Sequence, residues 1–283
     1  MQIFGNEMDK LHFLKLLFVF TQKQTTKVYD FIPYQLGCFS YSVYADLNAM
    51  TQKNILSETA QKIALNVQTD YYSQLKPEDK IYLQQIKSQF GMMTTEDLIK
   101  YTYITYPDWA IKSTIAKKVL SANEYEKVEQ CKPKSNETIL FTIGYEGISL
   151  EEYLNRLIRN DVKVLVDVRR NPLSMKYGFS KSQLQRYCEN ISIEYLHFPE
   201  VGIASEQRQE LNTQTDYDTI FAAYCKNSLP KTLATQHRIF ELLEQKERIA
   251  LTCFEANINQ CHRKHLAEAI GNLPNFNYSI KHI

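Results

Sequence analysis

Residues 138–168 read TILFTIGYEGISLEEYLNRLIRNDVKVLVDV, and three patterns follow one another within them. TILFTIGY is an apolar run of strand length. In ISLEEYLNRLIRN the apolar residues return with helical spacing, and Ser149 stands ready to open that helix. VKVLVDV is a second strand, rich in β-branched residues. Strand, helix, strand is the repeating unit of a parallel sheet, because parallel neighbours need a crossover, and that crossover is right-handed.

The alternation continues to the end of the chain. SKSQLQRYCEN is expected as a helix, IEYLHF as a third strand, and residues 214–228 and 231–245 as two longer helices. RIALTCF follows as a fourth strand, CHRKHLAEAIG as a helix ending at Gly271, and FNYSIKHI as a last strand. Residues 137–283 are therefore expected to form an α/β domain, a Rossmann-like, mostly parallel sheet with helices on both faces.

The chain before it has a different texture. Residues 8–22 place Leu11, Leu14, Leu17 and Phe18 on one helical face. Pro33 and Gly37 then mark a turn, and Ser40 can cap a helix running through Val43, Leu47 and Met50. ILSETAQKIALNV suits a short β-ribbon with a polar tip, and residues 77–122 read as further helices with a break at Pro107. Helix, helix and ribbon in this order resemble a winged helix. KLHFLKLLFVF followed by YDFIPYQLGCFSYSVYADL is similar to the antitoxin-like, Panacea-type domain pattern, with Cys38 where that pattern often has proline. The expectation is a mainly helical, winged-helix-like domain over residues 1–122 and a polar linker over 123–136.

Composition bounds the partners. The chain of 283 residues has 33 basic and 32 acidic residues and a net charge of +1, so bulk charge does not advertise nucleic acid or an acidic membrane. All 9 Arg lie in residues 136–283, whereas residues 1–135 carry 16 Lys and no Arg. Arginine presents the planar fork that grips phosphate bidentately, so an anion site is expected in the second half. Arginine's absence counts against guanine reading by the first. The six cysteines are scattered without a secretion signal, which suits reduced thiols in the cytoplasm. LHFLKLLFVF is interrupted by Lys15 and too short to span a bilayer.

In α/β sheets of this kind ligands bind beyond the carboxyl ends of the strands, and four strand exits carry suggestive residues. TIGYEG brings Gly144, Tyr145 and Glu146; DVRRNPLSMKYGFSK brings Asp167, Arg169 and Arg170. LHFPEVG brings His197, Glu200 and Gly202, and TCFEANINQCHRK brings Cys253, Glu255, Cys261, His262 and Arg263. Together, IGYEG, DVRRNPLSMKYGFSKSQL, YLHFPEVG and LTCFEANINQCHRKHLA resemble the successive motifs of the domain of unknown function 488 family, over roughly residues 138–283. A front domain followed by this one looks like an arrangement found within that family. The resemblance implies a Rossmann-like α/β domain with an enzymatic site, and no particular reaction.

The chemistry has to come from the residues. Arg263 falls in the first turn of a helix, where free backbone N–H groups already favour an anion; Arg169 and Arg170 are the other candidate anion ligands. Cys261 shares the first turn with Arg263, beside His262, and is expected to have a lowered pKa and nucleophilic character. Cys253, at the end of an apolar strand, reads more readily as a buried thiol. Glu255, His197 and His262 are candidate acid–base groups, and Tyr145, Asp167, Glu200 and Cys253 candidate ligand contacts. No cofactor is expected, and no metal. The Cys-x-Glu and Cys-His spacings do not reproduce the Cys-x-x-Cys of zinc deaminases, and adjacent Cys261 and His262 should point different ways on a helix, although His265 could share the face of His262.

Three readings remain open. In one, the second domain is an enzyme that hydrolyses or transfers a group on a nucleotide or nucleic acid. In another, it is a ligand-sensing domain of a non-catalytic module that binds nucleic acid or a protein partner through the first domain. Redox sensing through Cys253 and Cys261 is a third. Oligomeric state is not legible.

Overall fold

A short strand, β1 (Glu7–Asp9), leads directly into α1 (Lys10–Lys23), whose Leu14, Phe18 and Val19 are buried. The computed structural model describes residues 1–203 and 213–283 and divides into two units, Met1–Lys132 and Pro133–Ile283. In the first unit, β2 (Ile32–Tyr34) and β3 (Gly37–Phe39) make a tight hairpin, followed by α2 (Tyr41–Gln52). The Ser40 hydroxyl accepts from the Val43 N–H and so caps α2 as its position predicts. β4 (Leu56–Glu58) and β5 (Lys62–Leu65) form the anticipated ribbon, and β1 joins it on the other side of β5, all antiparallel.

Helices α3 (Pro77–Phe90), α4 (Thr95–Thr105), α5 (Ala116–Val119) and α6 (Ala122–Cys131) complete the unit, with a 3-10 turn beginning at Pro107. Two expectations change here. Lys15, which looked like a break in an apolar run, is fully buried, and its ammonium donates to the Leu36 and Cys38 carbonyls at the β2–β3 hairpin. The supposed linker over 123–136 is helical for most of its length. Its start carries a capping box between Ser121 and Glu124, and Val128 packs with Ile99, Tyr103 and Leu120.

The second unit carries β6 (Ile139–Gly144), α7 (Leu150–Arg159), β7 (Val164–Asp167), α8 (Lys181–Asn190) and β8 (Glu194–His197). After it come α9 (Gln214–Ala223), α10 (Leu233–Lys246), β9 (Arg248–Cys253), α11 (His262–Gly271) and β10 (Ser279–His282). All five strands are parallel, in the order β10-β6-β9-β7-β8. In its own strand numbering that order is 5-1-4-2-3, so the fourth strand is inserted between the first two. The dinucleotide-binding order, 3-2-1-4-5, keeps those two together.

The chain moves one way across the sheet through α7 and α8 and back through α9, α10 and α11. Right-handed crossovers then place the two groups of helices on opposite faces. Packing agrees: Leu140, Val164, Val166 and Leu251 share a core with Phe221, Ile239, Leu243, Leu266 and Ile270. From the other face Thr252 accepts a hydrogen bond from Tyr153 of α7 at 2.7 Å. Because α11 leaves β9 on one side while α7 and α8 leave β6 and β7 on the other, the sheet opens at the carboxyl end of β9. That is where a ligand crevice belongs.

Candidate functional site

Register places the site before any side chain does. Gly144 pairs with Cys253, and Asp167 pairs with both Thr252 and His197, so Tyr145, Val168 and Phe254 leave the sheet side by side. The exits are tied together by backbone. The Phe254 carbonyl accepts from the Tyr145 and Glu146 N–H groups, and Glu146 accepts from the Ala256 N–H. Gly144 is required by this closeness, since a Cβ there would lie 2.0 Å from the Glu255 carbonyl oxygen. Gly202 is required likewise, because its Cβ would lie 2.3 Å from the Arg170 nitrogen.

Between these loops lies a pocket of about 330 Å³, lined by Cys253, His262, Tyr145, Arg169 and Arg170 and rimmed by Leu173, Met175 and Phe254. Leu173 and Met175 are strongly exposed although apolar. Such side chains at a pocket mouth suit contact with a ligand or partner. A second cavity, in the first unit, is lined by Leu47, Ile55, Leu65, Tyr72 and other chiefly apolar side chains and brings no catalytic group together.

Cys253 ends β9, is buried and is among the residues that line the pocket. Its S–H donates to Glu255 Oε2 at 3.1 Å, and the sulfur lies 3.7 Å from His262 Nδ1. His262 Nε2 is 3.1 Å from the Val168 carbonyl oxygen, which can only accept. The proton of the neutral ring therefore sits on Nε2, and the Nδ1 lone pair faces the thiol. His262 itself is fully buried. A thiol, a base and a group that fixes the base's tautomer are thus in one line.

Cys261 behaves otherwise than the sequence suggests. It is the N-cap of α11, yet it is fully buried, and burial with the neighbouring Cys253 pushes its pKa up, Arg263 opposing this only in part. Desolvation outweighs the helix terminus. The expected divergence of Cys261 and His262 also fails: Cys261 has extended backbone, φ −133° and ψ 133°, so adjacent side chains can converge. One ligand atom from each of Cys253, Cys261 and His262 lies within 4.8 Å of the others. His265 does not join them; it packs on Phe221 and pairs with Glu268 at 3.4 Å.

The arginines divide. Arg169 is buried, and its guanidinium donates to both oxygens of the fully buried Asp167, to Tyr145 Oη at 2.7 Å and to the Phe179 carbonyl at 2.8 Å. Tyr195 donates a further bond to Asp167 at 2.6 Å. Burial opposes the charge on Arg169, but the hydrogen bonds and charge of Asp167 raise its pKa above the ordinary value. Most of its donors are engaged by protein, so it braces the site more than it offers a free fork. Arg263, also buried, donates to the Glu255 and Ala256 carbonyls and clamps their loop; among the described residues its Nε finds no hydrogen-bond partner. Arg170 is exposed, and among the described residues its side chain makes a long contact of 3.3 Å to the Pro199 carbonyl, which leaves it able to meet an anion.

Tyr145 lines the pocket but is buried, its ring stacked on Phe179 at 4.2 Å and met edge-on by Phe254 at 5.3 Å. His197 and Glu200 are placed apart from the thiol. His197 Nε2 donates to the Arg169 carbonyl at 2.9 Å while Nδ1 accepts from the Lys181 ammonium at 3.2 Å, and Glu200 accepts from Thr235 at 2.9 Å. Their bonds shape the exits of β7 and β8. Phe254, Ser174 and Asn171 line the pocket unannounced; only their position just after strand ends could have singled them out.

Residues 149–270 match the model of a family described as Domain of unknown function DUF488. No curated protein and no solved structure matches the chain. Among the described residues, no helix is long and apolar enough to cross a membrane.

Proposed function

We propose that the second unit is an enzyme that hydrolyses or transfers a group on a phosphate-bearing ligand, a nucleotide or nucleic acid, through the thiol of Cys253. The observation that carries this reading is the pocket-lining Cys253, whose sulfur lies 3.1 Å from Glu255 Oε2 and 3.7 Å from His262 Nδ1. The thiol proton passes to Nδ1 of His262 as the sulfur bonds to the electrophilic carbon or phosphorus. The leaving group departs with its bonding pair, and water or an acceptor then displaces the sulfur. The imidazolium of His262 gives the thiol's proton to the leaving group and Glu255 takes one from the incoming water, Arg170 holds the anion, and the exposed Phe254 ring offers a face to a base or sugar.

The winged-helix reading of the first unit rests on α1, α2 and the β4–β5 ribbon, whose tip at Glu58–Lys62 is exposed. In this proposal it delivers a nucleic-acid or protein partner. A salt-dependent DNA affinity that is lost when residues 1–132 are removed would support nucleic acid as that partner.

The enzyme reading is tested by incubating the full chain with nucleotides, nucleosides, short DNA and short RNA and following product by mass spectrometry. Turnover is expected on one phosphate-bearing class, falling about 10²- to 10⁴-fold in Cys253→Ser and in His262→Gln, with Cys261→Ser far less affected. Turnover retained in Cys253→Ser would remove the thiol from the mechanism.

A further inference from the structure

Cys253, Cys261 and His262 have an arrangement that nucleophilic chemistry at Cys253 does not account for. A Cys–His pair needs no second thiol, yet Cys261 is turned inward, fully buried, towards the same point. Three donors lie within 4.8 Å of one another at the junction of β9 and α11, both of them well-formed elements. Tetrahedral zinc, with sulfur at about 2.3 Å and nitrogen at about 2.0 Å, sets a sulfur–nitrogen edge of roughly 3.6 Å. The observed edge, Cys253 Sγ to His262 Nδ1, is 3.7 Å.

The outer contacts point the same way. A ligating histidine donates its other ring N–H to an acceptor, which orients the ring and raises its basicity. Nε2 of His262 does this to the Val168 carbonyl. Sulfur and imidazole donors favour zinc-class cations over magnesium or calcium, which take oxygen. Two thiolates would balance a divalent charge. Cys253 and His262 border the pocket, so a fourth position faces it, with the Glu255 carboxylate alongside.

We propose that Cys253, Cys261 and His262 form a three-donor site for a soft divalent cation of the zinc class, with its fourth position toward Glu255 and the pocket. Binding deprotonates both thiols and releases their protons to solvent, so affinity rises with pH through the range in which the thiols ionise. A loaded site holds Cys253 as a ligand and protects it from alkylation; an empty site leaves it as the nucleophile proposed above. Metal and free thiol are two states of one cluster.

The test uses the full chain. Protein purified without chelator is weighed by native mass spectrometry, then stripped with chelator and titrated with zinc against a chromophoric competitor. One zinc per chain is expected. Cys261→Ser should weaken binding by about 100-fold or more, at or beyond the upper end of what loss of a hydrogen bond behind a ligand costs. His262→Gln should do the same, and Lys264→Ala should leave affinity unchanged. Iodoacetamide mapping completes it: zinc should slow labelling of Cys253 at least tenfold in wild type. Absence of zinc stoichiometry together with unprotected labelling would overturn the metal site. Labelling of stripped protein that leaves turnover intact would instead overturn the thiol mechanism, so the two failures are distinct.

Discussion

At the scale of single residues, the strongest commitment in the second unit is the buried pair of Asp167 and Arg169. Each is almost wholly removed from water, and their closest contact belongs to a set that also includes Tyr145, Tyr195 and the Phe179 carbonyl. The ion pair need not be a net source of stability, but breaking it leaves a buried charge without its partner. Asp167→Asn is therefore expected to destabilise the protein by about 3–5 kcal/mol, read as a fall in the urea midpoint. The sequence showed both residues at a strand exit. It did not show that Arg169 would turn back to the carboxylate two positions earlier, because DVRRNP is equally consistent with two forward-facing arginines.

At the scale of elements, the site depends on how closely the β6 and β9 exits approach. Gly144 permits that approach, and Arg263 from α11 holds the loop from the other side through the Glu255 and Ala256 carbonyls. A methyl group at position 144 would have to displace the stiff backbone of Glu255, whose carbonyl oxygen and carbon would lie at 2.0 and 2.8 Å, and would also press on Arg263 Nη2 at 3.1 Å. Gly144→Ala is expected to cost about 1–3 kcal/mol and to move Glu255 relative to Cys253. The check is a lowered thermal midpoint together with a changed rate of Cys253 alkylation. The helices at these exits were legible because their signals are local: Ser149 caps α7 by accepting from the Glu152 N–H at 3.0 Å, as its position before an apolar helical run suggests. The helix within the 123–136 segment is hidden from the sequence for a related reason. Its polar surface resembles a linker, and only the burial of Val128 against Ile99 and Leu120 reveals a packed helix.

At the scale of the whole molecule, each unit has its own hydrophobic core and its own complete sheets. The second contains the pocket and every residue of the Cys253 cluster. Residues 133–283 expressed alone are therefore expected to unfold in one cooperative urea transition and to keep the Cys253 labelling pattern. A fragment lacking a cooperative transition would show that the first unit is needed for the fold of the second.

In the second unit the sequence alone determined the succession of strands and helices, the parallel sense of the sheet and the four loops on which function had to be sought. These follow from periodicity, caps and crossovers, which act between residues near in the chain. Tertiary structure decided the strand order, with β9 inserted between β6 and β7. It also decided which polar groups are spent on the protein and which face the pocket. Arg169 and Arg263 turn inward while Arg170 stays open; Cys261 is desolvated and Cys253 meets His262. Those outcomes depend on burial and on distances of 3–4 Å between side chains brought together across the sheet, and no spacing along the chain encodes them.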